Sequence, residues 1–212
     1  MTVAILFGGQ SYEHEISIVS AIALKKVLKC TLVYIFCDKD REFYEIPTGE
    51  ITSKRFSSGN YKKDTKLTLK QGGFFAKTLL KEKQIAFDVA INLIHGADGE
   101  DGKVAALFDF FNIPYIGPRI EGSVLSYSKL WNKHLAQEKG VKTLPFEVVS
   151  KVSRKVTLPF PIIIKPLRLG SSIGLSVVRD ASALDYALDV AFEFDDDVLI
   201  EPFIEGGKEI NN

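Results

Sequence analysis

Apolar residues in the first part of the chain fall into short continuous runs. Residues 3–7 (VAILF) form one such run, and it ends at Gly8 and Gly9. A run of this length punctuated by glycine is the pattern of a strand buried on both faces of a parallel sheet. Residues 16–28 then place apolar side chains at helical spacing and close on Lys25, Lys26 and Lys29, which suits a helix C-terminus. A second apolar run, 31–37, ends at Asp38, so strand, glycine turn, helix and strand make a βαβ opening. Residues 39–83 are more polar, with turn signals at Pro47, Gly49, Gly59-Asn60 and Gly72-Gly73; they predict short strands and loops without recognisable chemistry. The parallel pattern resumes at 87–94 and continues through a glycine-rich acidic loop, a helix near 103–111 and a strand at 113–116. Gly117-Pro118 closes that unit and marks a domain boundary.

Beyond it, residues 121–139 have helical periodicity, with Gly140 as the C-cap candidate. Strands are predicted at 144–149, 160–165, 175–178 and 198–203, and Asp180 is placed to cap a helix running to about 194. This half is a smaller α+β pattern. No internal repeat is visible.

Composition narrows what the chain can do. The 212 residues carry 27 basic and 27 acidic side chains, which removes the broad positive field of nucleic-acid and anionic-membrane binders. Cys30 and Cys37 are too few for a disulfide framework and lack metal-ligand spacing, so they read as reduced core thiols. Neither a signal-peptide pattern nor an apolar stretch of roughly 18 residues is present, and the expected compartment is the cytoplasm.

Four constellations carry candidate chemistry. The loop GGQSYEHEIS at 8–17 follows a parallel strand and precedes a helix, where open α/β sheets bind ligands. Glu13, Glu15 and His14 there suit a cationic group such as an ammonium; alternatively the two glutamates complement the helix N-terminus. The loop HGADGEDGK at 95–103 is not a Walker A sequence, since Ala97 stands where glycine is required and Val104 replaces Ser/Thr; nor does it order its oxygen ligands as an EF-hand. His95, at a strand end, is either a substrate contact or a locally bonded imidazole. Lys165 ends a strand and is followed by the Gly170–Gly174 loop GSSIG, whose N–H groups and hydroxyls can wrap an anion; the same residues also read as a hairpin turn beside a snorkelling lysine. Glu201 and Glu209, with Phe203 and Ile204 between them, could meet a purine and its ribose.

Together these stretches resemble the D-alanine–D-alanine ligases, enzymes of the ATP-grasp fold. The resemblance is carried by LFGGQSYEHEIS (6–17), NLIHGADGEDG (92–102), YIGP (115–118) leading to SYSKL (126–130), IIKPLRLGSSIG (163–174) and VLIEPFI (198–204), in family order. It implies an α/β chain with an N-terminal parallel-sheet (pre-ATP-grasp) domain at 1–117. The small α+β subdomain of an ATP-grasp fold follows at 118–199, then the start of a mostly missing third domain at 200–212. It implies that Glu13 orients the ammonium of the first D-alanine, that His95 lines the same subsite, and that Ser171 joins Glu13 in positioning substrates. Lys129 and Lys165 would bind ATP phosphates with Ser172 and its loop; Glu201, Phe203 and Ile204 would contact adenine, and Glu209 the ribose. Pro202 stands where many members have Lys and offers no N–H.

The family activity joins two D-alanines for the peptidoglycan precursor, using ATP as co-substrate and an acyl-phosphate intermediate. A homodimer and a Mg2+ or Mn2+ requirement are implied with it. The family's metal ligands, its arginine and its tyrosine fall beyond the position matching Asn212, so the chain by itself is expected to be inactive. Two rivals are a non-catalytic ligand-binding module and a ligase joining D-alanine to D-lactate or D-serine.

Overall fold

The computed structural model describes residues 1–79 and 81–207. It comprises two compact units, Met1–Val124 and Leu125–Asn212.

In the first unit, β1 (Thr2–Gly8) pairs in parallel with β2 (Thr31–Cys37) on one side and β7 (Val89–Asn92) on the other. β8 (Tyr115–Ile116) adds to β7, again in parallel. The polar stretch after β2 extends the same sheet by antiparallel pairing of β3 (Phe43–Ile46), β4 (Thr65–Lys70), β5 (Gly73–Lys77) and β6 (Glu82–Gln84). The order is β6-β5-β4-β3-β2-β1-β7-β8.

Both faces are covered, which is why β1 and β2 read as continuous apolar runs. Alternate residues Ile5, Phe7, Tyr34 and Phe36 pack with Ile18 and Ala21 of α1 (His14–Val27) and with Phe56 of the short helix α2 (Ser53–Ser57). Phe7 meets Phe56 edge-on at 5.3 Å and Tyr34 at 6.1 Å. On the other face Leu6, Ile35, Cys37 and Phe74 pack with Val104 and Phe108 of α3 (Lys103–Phe110). Each fully buried phenylalanine contributes about 1.5–3 kcal/mol relative to exposure. Cys37 belongs to this core, and burial pushes its thiol up to about 12; Cys30 is half-buried and also unbridged.

The continuous helical pattern at 121–139 is two helices, α4 (Ile120–Tyr127) and α5 (Lys129–Glu138). Between them Ser128 is extended (φ −85°, ψ 118°) and buried. The Lys129 N–H donates to Leu167 C=O at 3.1 Å, so a tertiary hydrogen bond competes with the helical one at this point. The boundary between the two compact units falls inside α4.

The second unit holds an antiparallel sheet of β9 (Glu147–Ser150), β10 (Ile162–Pro166), β11 (Ser176–Val178) and β12 (Asp197–Pro202) in the order β11-β10-β12-β9. The helix α6 (Leu184–Phe192) covers the face carrying Ile162, Ile164, Val198 and Ile200. Asp180 accepts from the Ser182 N–H at 2.9 Å and starts a 3-10 turn that leads into α6. β12 is a central strand of this sheet, with neighbours on both edges. Its apolar run suits that position, with Val198, Leu199 and Ile200 at 1% exposure or less.

Candidate functional site

The first unit gathers its candidate residues where β1 and β7 end side by side. Ser17, fully buried on α1, joins the two ends: its Oγ accepts from the Gly8 N–H at 2.8 Å and donates to Leu93 C=O at 2.6 Å. Ser11 repeats the device one layer out, donating to His95 C=O at 2.5 Å and accepting from the Glu13 N–H at 3.1 Å. Glu13, 5% exposed, thus sits just before α1 within the reach of the 95–103 loop. Gly96 (φ +69°) makes this approach feasible, since a Cβ there would lie 2.6 Å from Glu13 Oε2.

His95 Nε2 meets Ser20 Oγ at 3.1 Å, and its Nδ1 lies 3.6 Å from Glu100 Oε1. Burial of part of its carboxyl raises the pKa of Glu100, and the charge of Glu13 adds to the rise. Two carboxylates and an imidazole therefore converge, a negative field suited to an ammonium.

The structure redistributes the trio read from the first loop. Glu15 points to solvent and pairs with Lys39 at 3.4 Å, while His14 is buried, its Nδ1 2.5 Å from Gly9 O and its ring against Phe36. Glu13 stays at the 95–103 loop, beside Gly96 and within the field of Glu100. The other acids of the second loop serve the fold: Asp98 takes a bidentate pair from Arg41 at 2.9 and 3.0 Å, and Asp101 accepts from the Lys103 N–H at 3.1 Å at the start of α3. Two cavities of this unit, about 410 and 650 Å³, lie elsewhere and are lined by neither Glu13 nor His95.

In the second unit the candidates occupy the sheet face opposite α6. Glu201 on β12 is diagonal to Lys165 on β10, and their side chains pair at 2.7 Å. Lys133 of α5 pairs with the other carboxylate oxygen. Burial would raise the Glu201 pKa, but hydrogen bonds from the two lysines outweigh it and hold the carboxyl below its ordinary range. Lys129, one turn earlier, donates to Pro166 C=O at 2.8 Å and to Leu169 C=O, fastening α5 to the loop after β10.

That loop is held by Arg168, which pairs with Asp195 at 2.7 Å and Asp197 at 2.9 Å. It then exposes Ser171 and Ser172, both with positive φ (51° and 56°). The Phe203 N–H is committed to Pro161 C=O at 2.9 Å, whereas Ile204 is exposed. Glu209 lies outside the described residues.

Comparison with known proteins matches the family model "D-ala D-ala ligase N-terminus" over residues 2–118 and "D-ala D-ala ligase C-terminus" over 130–211. The chain belongs to the D-alanine–D-alanine ligase family. A D-alanine–D-alanine ligase of Sulfurovum sp. (strain NBC37-1) is 63% identical over all of this chain and 62% of its own length, and one of Campylobacter lari is 58% identical over 61% of its length. The chain therefore spans about 62% of the curated relatives it matches. Among solved structures, the Helicobacter pylori D-alanine–D-alanine ligase superposes with a TM-score of 0.92 at 47% identity, covering 97% of this chain and 67% of that one. The VanG D-Ala:D-Ser ligase of Enterococcus faecalis gives 0.79 at 26%, covering 97% and 63%.

Set in this ligase family, the structure brings Glu13 and His95 together in one unit and Lys129, Lys165 and Glu201 in the other. Sequence reasoning missed Lys133, although it stands four residues after Lys129 on one helical stripe and so shares its direction. It also missed Glu100 and Ser11 in the loops and Ser20 on α1, whose interactions with Glu13 or His95 join residues far apart in sequence. Among the described residues no group of three His, Cys, Asp or Glu could hold a metal ion. The divalent cation implied by the resemblance therefore has no fitting site among the described residues.

Proposed function

We propose that this chain supplies the first amino-acid subsite and the phosphate-facing lysines of an enzyme that joins two D-alanines with ATP, for the peptidoglycan precursor. The observation that carries this reading is the buried Glu13 beside the loop that holds Glu100 against His95, in a chain of this family. Glu13 would anchor the ammonium of the first D-alanine, leaving its carboxylate to face the nucleotide. Lys129 and Lys165 would meet the ATP phosphates, with Ser171 and Ser172 presented by the loop that Arg168 holds. Transfer of the γ-phosphoryl group to that carboxylate gives ADP and an acyl phosphate. Attack by the amine of the second D-alanine then forms the peptide bond and expels phosphate. An acyl phosphate hydrolyses in water, which gives the exposed serine loop a purpose as a cover. Glu201, Phe203 and Ile204 would take the adenine and Glu209 the ribose, and we place the enzyme in the cytoplasm as a homodimer. No helix among the described residues is long and apolar enough to cross a membrane.

The test is phosphate release dependent on both ATP and D-alanine, with D-alanine, D-serine or D-lactate offered as the second substrate. The full enzyme carrying these residues is expected to prefer D-alanine, and preference for D-serine or D-lactate would move it to the rival specificities. The 212-residue chain alone is expected to show no turnover, because phosphoryl transfer needs charge neutralisation that its described residues do not supply. Stoichiometric D-alanine binding by a protein that never turns over would instead favour a binding module.

A further inference from the structure

The sheet face of the second unit presents three charges in a row, and the positive ones are not equivalent. Glu201 is 8% exposed at its side chain, with one oxygen facing Lys133 and the other facing Lys165. Lys133 is 14% exposed and held from several sides: it pairs with Glu201, lies 5.1 Å over the Phe146 ring, and reaches Leu144 C=O at 3.3 Å. Lys165 is more open, at 26%, and stands where β10 hands over to the serine loop. The charged residue of β9, Glu147, is turned away and takes the Thr157 N–H at 2.9 Å. Among the described residues, the charges facing Glu201 are therefore Lys133 from α5 and Lys165 from β10.

If Lys165 is to meet a phosphate, as the proposed function requires, it must give up some or all of its bond to Glu201. A buried carboxylate stripped of its counter-charge is strongly destabilising, so that move is costly unless a second cation remains. We propose that Lys133 is this standing counter-charge: a positioning residue that keeps Glu201 ionised and in place while Lys165 is shared with, or passed to, the nucleotide phosphates. The inference rests on the nucleotide reading of this face but assigns a role to a residue outside the set the motifs name.

Two measurements test it separately. The first needs no nucleotide: the titration midpoint of the Glu201 carboxyl, followed by carbon-13 NMR in the 212-residue chain. Lys133→Met is expected to raise that midpoint more than Lys165→Met does, and Lys133→Arg is expected to restore it. An equal or larger rise in Lys165→Met would make Lys165 the standing partner and overturn the proposal. The second is ATP affinity by calorimetry in the full enzyme carrying these residues. Lys133→Met is expected to weaken ATP by about tenfold or more, the equivalent of one pKa unit, with Lys133→Arg close to the parent. In a Glu201→Gln background, where no charge needs holding, Lys133→Met should have no further effect. A full, additive loss there would show that Lys133 acts by another route and overturn the proposal. Unchanged affinity in Lys165→Met, or no ATP binding by the parent, would count against the nucleotide reading and leave the midpoint order to decide the role of Lys133.

Discussion

Glu100 lies 3.6 Å from the His95 ring and within the field of Glu13 from the other loop, and that closeness sets how Glu100 titrates. With burial and the Glu13 charge both raising its pKa, Glu100 binds a proton in the folded protein at pH values where the unfolded chain has released it. Stability must then fall as pH rises through the window just above the ordinary glutamate value, and Glu100→Gln should remove that fall. Urea midpoints from pH 4 to 8 check it. The slope will be modest, because Glu100 is half-exposed and solvent screens the repulsion. Glu13→Gln should lower the Glu100 pKa and weaken D-alanine binding by roughly 10- to 100-fold, the equivalent of losing a charge-assisted hydrogen bond of about 1.5–3 kcal/mol. Binding left intact by Glu13→Gln would remove the carboxylate from the subsite.

At the scale of elements, the site depends on the ends of β1 and β7 staying together, and Ser17 is the residue that ties them. Ser17→Ala leaves the Gly8 N–H and Leu93 C=O to find other partners in a buried setting, at a cost of about 1–3 kcal/mol. A lower denaturation midpoint is expected, together with a loss of D-alanine affinity although Ser17 is not assigned to touch substrate. The motif reading covered these elements well where one pattern dominated. β1, α1, β2, α3 and β10 were legible from apolar runs, glycine punctuation and helical spacing. The break at Ser128 was not, because the sequence keeps its periodicity there and the competing hydrogen bond comes from Leu167, 39 residues away. The antiparallel strands β3 to β6 were legible only as short strands; their place in the first sheet is a matter of edge pairing.

At the scale of the molecule, each unit has its own core. Ile164 is fully buried among Ile162, Val198, Leu188 and Val178, whereas Phe7, Tyr34 and Phe36 belong to the first unit. Ile164→Ala should cost the second unit about 2–5 kcal/mol through lost burial and the cavity left behind. Hydrogen exchange is expected to show amides of β10 and β12 losing protection while those of β1 and β2 retain theirs. Equal loss in both would mean that the units unfold as one.

The sequence by itself determined the layered α/β first unit, the mixed second unit and the candidate residues within motifs, because burial periodicity and turn chemistry are local and the motifs are contiguous. Tertiary structure decided which of those residues act together. It sent Glu15 to solvent and His14 into the core, and brought Glu100 and Ser20 to His95. It also placed β12 between two neighbours and gave Glu201 a second lysine. The physical reason is that charge pairing and strand adjacency depend on distance in space. Residues far apart in sequence acquire those distances only when the chain has packed.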